Sequence, residues 1–294
     1  MYEDFFGLNA PPFKTAPDPS FLFWSSGHNM AFTMLRYGLM NRALITVITG
    51  GVGTGKTTLL RRLLDEIPET RRVGLISNMQ AGRGELLHWV LMSFNLDFED
   101  EPYVKSFKRF QDFVVDSYAA GRRVLLIVDE AQNLSVQAME ELRMLSNINS
   151  ERDELLQIIL MGQPQLRDKI NSPELTQFAQ RISADYHLGA LNAEETAQYI
   201  DKRLEIAGAT EEIFPPRTCE LIHQVTGGTP RLINTLCDMC LAYGYADDSR
   251  VIDESRLRAF LNTARERGIY NQFTHLAEQP KLVSGGPAAV DGGY

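Results

Sequence analysis

Apolar positions along this chain follow two alternating rhythms. Short apolar runs at 44–49, 73–77, 124–128, 155–161 and 186–188 have the length of buried strands. Between them, apolar residues recur at helical spacing. Leu59, Leu60, Leu63, Leu64 and Ile67 share one face, with Arg61, Arg62, Asp65 and Glu66 on the other; Phe107, Phe110, Phe113, Val114 and Tyr118 make a second face, and Val136, Met139, Leu142, Leu145 and Ile148 a third. Strands alternating with amphipathic helices predict an α/β domain whose mostly parallel sheet is covered on both faces. From Asn192 onward no strand-like run occurs. Asn192 with Glu195, Pro216, Thr229 with Pro230, and Asp253 are successive helix-start signals, the last preceding Leu257, Phe260 and Leu261. The expected organisation is an α/β domain over 1–190, an α-helical domain over 191–270, and a glycine-rich tail over 271–294 too poor in apolar residues to order itself.

Charge narrows the classes. The 294 residues carry 29 Lys and Arg against 38 Asp and Glu, a net charge of -9. Such a chain repels polyanions as a whole, which argues against sequence-blind coating of DNA but leaves a local basic patch open. Three cysteines point to free thiols in a reducing compartment. The N-terminus opens with acids where an export signal needs a basic patch, and no run approaches the roughly 20 apolar residues that span a bilayer. The expected location is cytoplasmic.

Two motifs carry chemistry. Gly50-Gly51-Val52-Gly53-Thr54-Gly55-Lys56-Thr57 meets the phosphate-loop pattern at each defined position, between an apolar strand and an amphipathic helix, with Thr58 following. Glycines let successive N–H groups point at phosphates, the helix N-terminus adds its dipole, Lys56 a point charge and Thr57 a magnesium ligand. The strand 124–128 then delivers Asp129 and Glu130 to the end of the sheet where ligands bind. Asp129 is the expected Mg²⁺ partner; Glu130 stands to polarise an attacking water, the mark of hydrolysis. No Asn-Lys-x-Asp segment for reading guanine occurs, which favours ATP. Gln163, at the end of the fourth run, either reports a γ-phosphate or orients the water, or is a turn residue before Pro164. Arg181 precedes the fifth run, where an arginine reaches a neighbour's nucleotide or is simply solvated. Arg231 lies in the first turn of a helix, a poor place for a cation unless an anion such as a nucleotide phosphate favours it.

In this order, the phosphate loop, Asp129-Glu130, Gln163, Arg181 and Gly228-Thr229-Pro230-Arg231 resemble AAA+ ATPases. More narrowly, Tyr2-Glu-Asp-Phe5-Phe-Gly7-Leu8 with Pro12-Phe13, then Pro17-Asp18-Pro19 and Phe21-Leu22-Phe23, resemble the N-terminal signature of the ExeA-like ATPases of the general secretion pathway. Asp129-Glu130-Ala131-Gln132 and Gly162-Gln163-Pro164-Gln165-Leu166 are similar to that family's boxes. The resemblance covers about residues 1 to 270 and implies a Mg²⁺-dependent ATPase that assembles through its nucleotide sites. In that implication Gln163 is a first sensor, Arg181 a finger acting in trans and Arg231 a second sensor. The partners it implies are ATP, further copies of the chain, and a protein of a secretion, pilus or exopolysaccharide export system. Related ATPases regulate transposition on DNA, which is the alternative. Against the full-length secretion proteins, the expectation is of a chain with no transmembrane helix and no peptidoglycan-binding domain after the lid, at most peripheral to the inner membrane through a partner. The aromatic stretch around Phe5, Phe6 and Leu8 either borders the adenine or caps the core.

Other features carry less. Cys237-Asp-Met-Cys240 lies inside a helical pattern without a second cysteine pair, and His28, His88, His187, His223 and His275 have no metal-ligand spacing. Arg71-Arg72 and Arg122-Arg123 precede strands, as solvated surface or as DNA contacts.

Overall fold

A computed structural model of the chain describes residues 1–14, 21, 23–77, 86–98, 102–149 and 153–266, with side chains to 263. The Pro17-Asp18-Pro19 stretch, Leu22 and the predicted tail lie outside the described residues. In chain order the elements are α1 (Glu3–Phe6), α2 (Ser26–Met40), β1 (Ile45–Gly50), α3 (Lys56–Glu66), β2 (Arg71–Ile76), α4 (Leu86–Ser93), α5 (Tyr103–Ala119), β3 (Arg123–Val128), α6 (Val136–Leu145), β4 (Leu156–Gly162), α7 (Pro164–Ile170), α8 (Thr176–Ala179), β5 (Ile182–Leu188), α9 (Ala193–Ile206), α10 (Pro216–Thr226), α11 (Pro230–Ala246) and α12 (Glu254–Glu266).

The strands form one parallel sheet in the order β2-β3-β4-β1-β5. The inner strands β1 and β4 are buried along their whole length, which is why they read as mostly apolar runs, with Thr46, Thr49 and Gln157 as buried polar exceptions. The edge strands β2 and β5 alternate between buried and exposed positions, so their first residues escape a search for apolar runs: β5 begins at Ile182, not 186, and β2 at Arg71. Ile45, Val47, Leu126, Val128, Ile158 and Leu160 face α4, α5 and α6 across one sheet face. Ile48, Leu125, Ile127, Ile159 and Met161 pack on the other face with Ala31 and Leu35 of α2 and Leu59, Leu60 and Leu63 of α3. The helix α2 is capped by Ser25, whose hydroxyl accepts the His28 N–H. A buried glutamine on β4 ties these layers together. Gln157 donates to the Gly38 and Ala43 carbonyls at 3.1 and 3.2 Å and accepts from Arg71 at 2.6 Å.

By its contacts the chain divides into two units, residues 14–191 with 229–234, and residues 1–13 with 192–228 and 235 onward. The first thirteen residues therefore group with the helical unit, whereas the expected boundary put them in the α/β domain. The reason lies in the N-terminal aromatics. Tyr2, Phe6, Leu8 and Phe13 are buried, Phe13 sits edge-on to Phe214 at 6.0 Å, and the Asn9 N–H donates to the Ala207 carbonyl at 2.7 Å. Tyr2 donates its hydroxyl proton to Asp238. Phe5 packs on Phe6 and Tyr245, so this stretch caps a core, as one of its two readings has it. Within the unit, Asn192 and Glu195 form a reciprocal capping box on α9, Pro216 is in the first turn of α10, and Asp253 accepts the Arg256 N–H ahead of α12. Cys219, Cys237 and Cys240 are buried free thiols, and burial pushes Cys219 up to about 12 and raises the other two well above the ordinary thiol range. They are packing residues.

Arg203 of α9 is the clasp of this arrangement. Only 7% exposed, it donates from Nε to the Pro12 carbonyl at 2.6 Å and from Nη1 to the Tyr199 hydroxyl at 2.9 Å, and its guanidinium lies 5.4 Å from the centre of the Tyr199 ring. Arg203→Met keeps the stem but leaves the Pro12 carbonyl without its donor, and is expected to destabilise the unit by about 2–4 kcal/mol in chemical denaturation. A loss below about 0.5 kcal/mol would show that the clasp does not hold the N-terminal segment.

Candidate functional site

The phosphate-loop pattern occupies the turn between β1 and α3, at the carboxyl end of the central strand. The loop is braced by its own side chains. Thr54 donates its hydroxyl to the Gly51 carbonyl at 2.9 Å, and the Lys56 ammonium donates to the carbonyls of Gly50 and Gly51 at 2.8 and 2.9 Å. Lys56 is buried, and burial holds its ammonium below the ordinary lysine range against the opposing pull of Glu130 and Asp129. A buried cation gains from any anion brought to the loop. Thr57 is exposed at the start of α3 and Thr58 half-buried.

A histidine supports this loop from α2. His28 is buried; its Nε2 lies 3.0 Å from the Thr54 carbonyl oxygen and its Nδ1 2.7 Å from the Ser25 hydroxyl. The carbonyl can only accept, so Nε2 carries the proton, and Nδ1 then accepts from Ser25 when the ring is neutral. The same ring explains Gly55. At φ 103° this residue is in the region that favours glycine, and a Cβ there would sit 2.5 Å from His28 Nε2.

The acidic residues stand at the end of β3. Asp129 is buried there and accepts the Glu130 N–H at 2.8 Å. Burial pushes its carboxyl above the usual aspartate range, Glu130 adding to the rise while that N–H and Lys56 oppose it. Glu130 adopts φ 53°, an uncommon left-handed conformation for a non-glycine residue. Its Oε2 accepts from the Gln132 side-chain amide and from Gln163 Nε2 at 3.3 Å. Gln163, the N-cap position of α7, donates its backbone N–H to Gln132 Oε1 at 2.9 Å. Among the described residues no group of three or more His, Cys, Asp or Glu is placed to hold a metal. Thr57 and Asp129 offer oxygen donors beside the loop, the ligand type that suits a hard cation such as Mg²⁺.

Arg231 also reaches the loop: residues 229–234 group with the α/β unit, and the Arg231 N–H donates to the Gly53 carbonyl at 3.3 Å. Arg181 does not. It precedes β5, whose Ile182 pairs with Ile45 at the start of β1 while Leu188 pairs with Gly50 at its end, so about 20 Å of strand separate it from its own chain's loop. It donates to the Ser146 hydroxyl at 2.9 Å. Two residues gain a place that their spacing in the chain did not disclose. His28 was one scattered histidine among five; its only local signal is Ser25 three residues before it, an N-cap. Gln132 stood inside a motif without a role.

A family model described as an AAA domain matches residues 39–170, which contain the loop, the Asp129-Glu130 pair and Gln163. General secretion pathway protein A of Aeromonas hydrophila is 39% identical over 253 residues, 86% of this chain. The chain belongs to the AAA+ family, as a relative of general secretion pathway protein A. It spans 46% of that relative's length, about half. Solved AAA+ neighbours include the ORC2 protein of Aeropyrum pernix, in complexes with ADPNP and ADP, at TM-score 0.59 and 19% identity, covering 85% of this chain and 71% of that one. The Walker-type ATPase of Pyrococcus abyssi follows at TM-score 0.60 and 18% identity, covering 90% and 79%. At such identities these structures show a shared fold.

If His28 braces the loop of this AAA+ chain as its contacts indicate, His28→Ala should weaken binding of a fluorescent ATP analogue roughly tenfold, the worth of one lost hydrogen bond of about 1.4 kcal/mol. Gly55→Ala, which forces a Cβ into the same ring, should weaken it further. Equal affinity in both variants and the parent would remove His28 from the site.

Proposed function

We propose that this chain binds ATP with Mg²⁺ at the phosphate loop, hydrolyses it to ADP and phosphate, and uses the cycle to assemble through its nucleotide sites in support of a secretion, pilus or exopolysaccharide export system. The observation that carries the hydrolytic part is the convergence of three charged groups. Lys56 at the start of α3 and the consecutive Asp129 and Glu130 at the end of β3 act on one another electrostatically at the carboxyl ends of β1 and β3. The backbone from Gly50, Gly51, Val52, Gly53 and Thr54 to Gly55, together with Lys56 and Thr58 at the helix start, binds the phosphates. Thr57 and Asp129 hold Mg²⁺, which when bound supplies charge neutralisation on the phosphate oxygens. Glu130 takes a proton from the attacking water, and Gln163, bonded to the same carboxylate, orients that water.

Assembly follows from the arginines. Arg231 joins the loop of its own chain, where it senses bound nucleotide. Arg181 is too far from that loop to serve it and acts on the nucleotide of a neighbouring copy. The link to export rests on the relative's name, general secretion pathway protein A. Among the described residues no helix is long and apolar enough to cross a membrane; in this reading a protein partner brings the chain to the inner membrane. One observation favours the second reading, a DNA-associated switch of the transposition-regulator type: Arg71 and Arg123 stand opposite each other in register at the strand-start end of β2 and β3, beside Arg72 and Arg122, although the Arg71 guanidinium is engaged by Gln157 and the Leu39 carbonyl. The overall charge of -9 weighs against it.

Lys56→Ala is expected to abolish ATP turnover, and Glu130→Gln to keep nucleotide binding while lowering turnover by at least about a hundredfold. Parent-like phosphate release from both would defeat the site. Sedimentation of the Glu130→Gln variant in Mg-ATP at near-physiological salt separates the two biological readings. Assembly without DNA supports the export reading, whereas assembly only on duplex DNA transfers support to the switch.

A further inference from the structure

We infer that Gln132 is a positioning residue for hydrolysis, a two-ended amide that sets the orientation of the Glu130 carboxylate and couples it to Gln163. This rests on the hydrolytic reading of Glu130 and specifies how that site is controlled. The amide's orientation follows from its partners. The backbone N–H of Gln163 can only donate, so the group facing it at 2.9 Å must be the Gln132 oxygen, and the nitrogen end necessarily turns to Glu130. One side chain thus spans the ends of β3 and β4.

The rest of the neighbourhood is built around this amide. A Cβ on Gly162 would lie 2.8 Å from Leu166 Cδ2, 2.9 Å from Gln132 Oε1 and 3.2 Å from the Gln132 backbone nitrogen, so a side chain at the end of β4 would press on both α7 and the glutamine. From α7, Lys169 donates to the Gln132 carbonyl at 2.7 Å and also to that of Leu134, which pins the short 3₁₀ turn Ala131–Asn133 on which Gln132 rides. Glu130 itself is held in a left-handed conformation that an isolated chain would leave, and its surroundings must over-determine it. Both side-chain amides bond the same carboxylate oxygen, Oε2. With both amides on Oε2, Oε1 is the oxygen that the hydrolytic reading assigns to the water's proton. Because Gln163 contributes both a backbone donor to Gln132 and a side-chain donor to Glu130, a shift of the β4–α7 junction changes both contacts together. A change in what Gln163 touches is thereby passed to the base.

The test separates positioning from mere packing by splitting the two ends of the amide. Gln132→Glu keeps the shape and the acceptor for the Gln163 N–H but replaces the donor to Glu130 with a like charge; Gln132→Met keeps the bulk and loses both ends. Steady-state turnover, affinity for a fluorescent ATP analogue and melting temperature are measured for both, beside Glu130→Gln and the parent. The expected result is a kcat about ten- to a hundredfold lower in both variants, with affinity within about twofold of the parent. In Gln132→Glu the turnover, relative to the parent, recovers as the pH is lowered, because a protonated carboxyl again has an O–H to donate. Turnover within about twofold of the parent in both variants, while Glu130→Gln stalls, overturns the inference and leaves the hydrolytic reading intact. Affinity and melting temperature falling together with kcat, with no recovery at low pH, also overturns it, in favour of a structural role. Parent-like turnover in Glu130→Gln instead overturns the hydrolytic reading, and the inference with it.

Discussion

A lysine ammonium buried under a glycine-rich turn is the constraint on which this site depends. Lys56 is 7% exposed and is satisfied by two carbonyls of the loop it belongs to, Gly50 and Gly51. Burying a cation is costly unless donors and counter-charges surround it, and both acids at the end of β3 act on it. That requirement fits a loop that leaves β1, an inner strand flanked by β4 and β5 with only β4 between it and β3. Only there do the carboxyl ends of several parallel strands converge on one point. The loop's curl, the Thr54 brace and the His28 contact all serve to keep the Lys56 anchor where it is.

Polar side chains then connect layers that apolar packing alone would leave interchangeable. Gln157 gathers carbonyls from Gly38 and Ala43 and the guanidinium of Arg71 at the strand-start edge of the sheet, while Gln132 gathers Gln163 and Glu130 at the other. A buried amide left half-satisfied would cost more than an apolar residue, so each of these glutamines fixes its neighbours' positions as firmly as a close contact. Arg203 does the same within the helical unit, where it draws the N-terminal segment onto α9 through the Pro12 carbonyl. In both units one or two polar side chains specify an arrangement to which the surrounding leucines and phenylalanines contribute most of the buried area.

Much of this was legible in the chain itself. Continuous burial makes β1, β3 and β4 largely apolar, broken by Thr46, Thr49 and Gln157, and the phosphate-loop and Asp-Glu patterns follow directly on two of those strands, so fold class and the nucleotide-site pattern could be read locally. Helix starts at Asn192, Pro216 and Pro230 were equally local, because a cap or a first-turn proline acts within a few residues. Edge strands were less legible, since β5 alternates and only its last residues look apolar. The attachment of residues 1–13 to the helical unit was not legible, because the partners of Pro12 and Asn9 lie about two hundred residues away.

Sequence by itself determined which residue types are available for chemistry and which segments become strands and helices, because periodicity and turn chemistry are properties of neighbours in the chain. Tertiary structure alone decided which of those residues meet. It brought His28 to the Thr54 carbonyl, Gln132 between Glu130 and Gln163, and Arg231 to Gly53, and it left Arg181 at the far edge of the sheet. The physical reason is that a hydrogen bond between distant residues depends on strand order and register. Those are settled by the burial of whole faces, and no motif of a few residues contains them.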